Sequence, residues 1–126
     1  MSQSSSADKP GASGDLPALD AGGFHHRLQE VPGAAVVLFT RRGCSACHAM
    51  GDALRRWQVD ADPPALFCVD AEVDTALVRE FEVFHLPALF VFVDGEYHGP
   101  LQAPPRVPLL RAALEERLRQ PPEEAP

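Results

Sequence analysis

The stretch "AAVVLFTRRGCSACHAM", residues 34–50, decides the reading of the chain. Its first seven residues form a continuous apolar run, which suits a strand covered on both faces. Arg41-Arg42-Gly43 is a polar turn, and a helix is expected from Cys44 to about Trp57, with Met50, Leu54 and Trp57 on one face. Cys44 and Cys47 therefore stand where a strand gives way to a helix. There the first backbone N–H groups lack intrahelical partners and the macrodipole is positive, so a thiolate is favoured over a thiol. Arg41, Arg42 and His48 add positive charge in the same direction, which makes Cys44 the expected low-pKa nucleophile. Cys47, one turn further on, is expected beneath the surface, within disulfide reach, as the residue that resolves a mixed disulfide.

Spacing alone leaves other chemistries open. Cys44-Ser45-Ala46-Cys47-His48 also satisfies the pattern for covalent haem attachment, but that needs maturation outside the cytoplasm and a distal ligand. Zinc or an iron–sulfur cluster ordinarily takes four Cys or His ligands, and there is no second CxxC in the sequence. A purely structural pair of buried thiols is the remaining alternative. No metal and no cofactor is expected.

Outward from this motif, helical and strand patterns alternate. "FHHRLQEV", from Phe24, spaces Phe24, Leu28 and Val31 as one helical face, and Pro32-Gly33 ends it. "ALFCVD", residues 65–70, is a second buried strand after the turn at Asp62-Pro63-Pro64. "AEVDTALVREFEVF", residues 71–84, predicts a helix with Val73, Leu77, Phe81 and Phe84 on its apolar side. "ALFVFV", residues 88–93, is a third strand. Asp94-Gly95 signals a hairpin into a short fourth strand near Glu96 to His98. "RVPLLRAALEERLR" is amphipathic through Leu110, Leu114 and Leu118. Strands separated by helices imply parallel pairing, and the direct hairpin adds an antiparallel pair. The expected architecture is α/β, a mixed sheet of about four strands flanked by helices on both faces.

Composition bounds the rest. The 126 residues, 45% hydrophobic, suit a single core. A formal charge of −7 with one lysine, Lys9, argues against a nucleic-acid partner. The longest apolar candidate, "LPALFVFV", is strand length, so no membrane helix is expected. The opening residues carry neither an apolar h-region nor a basic n-region, which points to a cytoplasmic chain. Residues 1–16 and 120–126 read as disordered tails around a domain at 17–119. Three cysteines are too few for a disulfide scaffold. Cys68, inside an apolar strand, is expected to pack as a small hydrophobe, and His25 and His26 to lie on a helix surface.

"VVLFTRRGCSAC" followed by "FEVFHLPALFVFVDGEYHG" resembles the thioredoxin superfamily, over roughly Phe24 to Leu118. The resemblance implies a thioredoxin-like fold and thiol–disulfide exchange with protein substrates through Cys44 and Cys47. It also implies an external reductant such as a thioredoxin reductase or glutathione. Pro87 would be a cis-proline facing the cysteine pair. Leu86 would hold an extended substrate chain by its backbone, with Gly43 across the groove. The departures are specific. Ser45-Ala46 stand in place of Gly-Pro between the cysteines, and Gly43 in place of the preceding tryptophan. Leu38 stands where the family carries a buried aspartate, and Leu66 where its partner lysine would be. His85 or His48 is the expected substitute base. The alternative to catalysis is a thioredoxin-like module that holds a partner around Leu86-Pro87 without turnover.

Overall fold

The computed structural model describes residues 15–126, so the expectation for the first fourteen lies outside the described residues. The element order is α1 (Phe24–Gln29), β1 (Ala34–Thr40), α2 (Ser45–Gln58), β2 (Ala65–Asp70), α3 (Thr75–Glu80), β3 (Ala88–Val93), β4 (Glu96–Leu101) and α4 (Val107–Arg119). The strands form one mixed sheet in the order β2-β1-β3-β4.

β1 is buried along its interior because each face of the sheet is covered. Val36 and Leu38 pack on one side with Leu54 and Trp57 of α2 and Leu110 of α4. Ala35, Val37 and Phe39 pack on the other with Phe24 of α1 and Leu77 of α3. The alternation of period two thus sorts an unpatterned apolar run into two cores. On the α1/α3 side Phe81 is the hub, its ring centroid 5.3 Å from Phe24, 5.7 Å from Phe90 and 6.0 Å from Tyr97.

β1 and β2 pair in parallel, with Leu38 opposite Cys68 and Thr40 opposite Asp70. β3, expected parallel, runs antiparallel to β1, with Phe39 opposite Ala88. The reason is the length of α3. Six helical residues rise about 9 Å, whereas a strand of six spans about 20 Å. The chain therefore enters β3 at the same end of the sheet where it left β2.

α3 is also shorter than its periodicity predicts. Asp70 turns the chain through hydrogen bonds from Val73 and Asp74 N–H to its carbonyl before the helix begins. Glu82 adopts a left-handed φ of 52° just after it ends. Val73 and Phe84, expected on the core face, are consequently 72% and 82% exposed. Leu118 is likewise exposed at 39%, while Leu110 and Leu114 are buried. The hairpin at Asp94-Gly95 has φ of 51° and 83°, both positive as a tight two-residue turn requires. β4 runs to Leu101, beyond the expected His98, and tolerates Pro100 because it is an edge strand.

Both domain edges carry more structure than composition suggests. Leu16 is buried in the α2/α4 core. Pro17 and Leu19 exchange backbone hydrogen bonds with Cys68 at 2.9 and 2.8 Å, covering the outer edge of β2. Residues 120–126 form no helix or strand, but Glu123 N–H donates to His98 O at 2.9 Å and its carboxylate pairs with Arg117 at 2.8 Å. Among the described residues no helix is long and apolar enough to cross a membrane.

Candidate redox site

Cys44 is the N-cap of α2, in extended conformation, and its Sγ accepts the Cys47 N–H at 3.2 Å. A cysteine here takes the capping role ordinarily held by Ser, Thr, Asp or Asn. Gly43 has φ of 71°, and an added Cβ there would meet nothing within 4 Å. The residue before Cys44 is thus glycine because the Arg41-Arg42-Gly43 turn needs a left-handed backbone, not because space is short.

The two thiols are shifted in opposite directions. Cys44 is held below the ordinary thiol value by the hydrogen bond from the Cys47 thiol, then by the Cys47 N–H, the Arg41 charge and the Ala46 N–H. Cys47, 1% exposed, is pushed up by burial first and then by the hydrogen bond it gives to Cys44. The Arg41 N–H and the Thr40 hydroxyl pull in the other direction. A half-buried cysteine held toward the thiolate, backed by a buried one held toward the thiol, is the arrangement that attack followed by resolution needs. Alkylation of Cys44 should accordingly follow a pH midpoint below that of a free thiol, and Arg41→Gln should move it upward. Iodoacetamide rates across pH on Cys68→Ala protein, with the first tag mapped to Cys44, measure both.

The remaining candidates divide between two surface cavities. One, of about 340 Å³, is lined by Leu38, Thr40, Arg41, Cys47, His48 and Cys68 among others. The second, of about 390 Å³, is lined by Met50, Phe84, His85, Pro87, Leu101 and Gln102 among others. His48 thus shares a cavity with Cys47, while His85 belongs with Pro87. Both histidines are exposed. The Leu86-Pro87 bond is cis, and it opens β3 at the end of the sheet where β1 hands over to α2. Arg41 and Arg42 are exposed and form no ion pair among the described residues.

Three residues were not singled out for the site from sequence. Thr40, the sole hydroxyl in its strand, adjoins Cys47. Cys68, expected as packing, is half-buried and lines the Cys47 cavity; its Sγ donates to Leu16 O at 3.6 Å, and burial pushes its thiol up. Phe84 stands exposed beside Pro87, where helical periodicity had placed it in the core. Among the described residues no three His, Cys, Asp or Glu side chains form a metal-binding group.

A mixed four-stranded sheet with helices on both faces, a CxxC at the start of α2 and a cis-proline before β3 together define a thioredoxin-fold protein. No family model matches the sequence, and no curated protein matches it. Solved structures do. Human ERp44 in its zinc-bound form superposes with a TM-score of 0.70 at 14% identity, covering 81% of this chain and 32% of that one. The J-Trx1 fragment of ERdj5 gives 0.68 at 23% identity, covering 83% and 52%. A designed protein gives 0.70 at 16% identity, covering 83% and 99%. The chain thus spans about a third of the ERp44 chain and about half of the ERdj5 fragment. At these identities the likeness is one of fold.

Proposed function

We infer that the protein is a thiol–disulfide oxidoreductase acting on protein substrates through Cys44 and Cys47. The observation that carries this is the pairing of a capping Cys44 held toward the thiolate with a buried Cys47 held toward the thiol. In the reducing direction the Cys44 thiolate attacks a substrate disulfide, one substrate sulfur leaves, and a mixed disulfide forms. Cys47 then attacks the Cys44 sulfur, releasing the second substrate thiol and leaving a Cys44–Cys47 disulfide. An external dithiol or glutathione returns the pair to the reduced form. A reducing, cytoplasmic setting belongs to the same proposal.

The cis Leu86-Pro87 segment and the cavity beside it are where a substrate chain would lie, paired in extended form along the Leu86 backbone. Phe84 supplies an apolar contact there, and burying such a side chain contributes about 1.5–3 kcal/mol. Phe84→Ser should raise KM for a protein disulfide about tenfold, while small aromatic disulfides react unchanged and stability stays within about 0.5 kcal/mol. Steady-state assays with both substrate types, beside a thermal melt, check this.

The reading is tested by mixing reduced protein with a protein disulfide of known structure and mapping both partners by mass. One substrate disulfide lost per Cys44–Cys47 disulfide gained supports exchange. A second reading, a partner-binding module without turnover, draws on the exposed Phe84 and on Leu38 in place of a buried acid. Binding that survives Cys44→Ser, with no disulfide transferred by the unaltered protein, would favour it.

A further inference from the structure

Resolution requires the 1%-exposed Cys47 to lose its proton. The strand beneath it offers no buried acid: Leu38 is buried in the α2/α4 core, opposite Cys68 on one side and Leu89 on the other, and Asp70, which ends β2 opposite Thr40, is exposed. Leu38 and Thr40 stand two residues apart and so project to the same face of the sheet, the face that α2 covers. Thr40 therefore ends the apolar stripe of Val36 and Leu38 with a hydroxyl. The Thr40 hydroxyl and the Arg41 backbone N–H both draw the Cys47 thiol down against the burial that raises it. Thr40 and Cys47 also line the same open cavity, with His48 and Asp70 on its wall. At about 340 Å³ it has room for water, and its polar groups are the partners a water needs.

Resting on the exchange reading above, we propose that Thr40 is a catalytic residue of the resolving step. Its hydroxyl donates to the Cys47 sulfur as the thiolate forms, and the proton leaves through the adjoining cavity to solvent. The Cys47 sulfur then bonds to the Cys44 sulfur. The Cys44–substrate S–S bond breaks, its electron pair passes to the substrate sulfur, and that sulfur takes up a proton from solvent. The cysteine pair is oxidised by two electrons and the substrate disulfide is reduced by two. A hydroxyl fills the role because hydrogen bonds to charged acceptors are about twice as strong as neutral ones.

The test separates the two thiols in time. Reduced protein carrying Cys68→Ala is mixed with excess dithiobis(nitrobenzoate): one thionitrobenzoate is released as Cys44 attacks and a second as Cys47 closes the disulfide. Thr40→Val should leave the first phase unchanged and slow the second about tenfold near pH 7, moving its pH midpoint up by about one pH unit. Thr40→Ala, which removes the donor without adding a methyl, should behave alike, and Thr40→Ser should match the parent. A second phase whose pH profile is unmoved by Thr40→Val and Thr40→Ala, or slowed as much by Thr40→Ser, overturns the role of Thr40 alone. A parent protein that never releases the second equivalent overturns the exchange reading and this one with it.

Discussion

Cys44→Ser is expected to abolish disulfide reduction, by at least about 10³-fold, because a serine hydroxyl at this cap remains protonated where the thiol ionises. Cys47→Ser should behave differently. It leaves the attacking thiolate in place and removes its resolution, so turnover stops at a stable mixed disulfide that a mass shift on Cys44 reveals. The two variants separate because the two cysteines stand one helical turn apart in different surroundings, Cys44 half-buried as the cap and Cys47 enclosed. Cys68→Ser should stay within about twofold of the parent. Burial pushes its thiol up and it donates to Leu16 O, away from the transfer. Initial rates with a protein disulfide, run in parallel for the three variants, decide among these outcomes.

Phe81→Ala should cost about 3–5 kcal/mol of stability, the range for removing a buried aromatic ring. Phe81 is 4% exposed and touches rings from α1, all three strands β1, β3 and β4, so its loss opens a cavity between four elements. Its position gives a second consequence. It caps α3 immediately before Glu82, from which the chain runs to Leu86-Pro87. Loosening that anchor should raise KM for protein disulfides while leaving the Cys44 alkylation profile unmoved. Denaturant unfolding gives the first effect and steady-state kinetics the second. An equal loss in Cys44 reactivity would mean that the damage had spread to the sheet.

Much of this was legible in the sequence, and the reasons differ by element. The three apolar strands have the bounds their runs predict, 34–40, 65–70 and 88–93, because turn residues stand at both ends of each. The placement of Cys44 at a helix start followed from the polar turn before it. The direction of β3 was not legible, because it depends on how far α3 carries the chain, and apolar spacing from 71 to 84 overstated that helix. Phe84 shows the same failure at one residue. It satisfies the helical period, but the left-handed backbone at Glu82 turns the chain before that period applies. Thr40 was hidden for another reason: hydroxyl residues commonly end strands, and only the shared cavity with Cys47 distinguishes this one. The segment 120–126 reads as a tail from its prolines, and its fastening to His98 and Arg117 depends on a strand some twenty residues away.

Equilibrating the protein in glutathione or dithiothreitol buffers of graded potential, then tagging free thiols and mapping the tags, tests the central claim most directly. Cys44 and Cys47 should lose their tags together as one two-electron couple while Cys68 keeps its own, and the midpoint would give the favoured direction of transfer. If both cysteines remain tagged under the most oxidising buffer, no disulfide forms between them and the exchange account is contradicted.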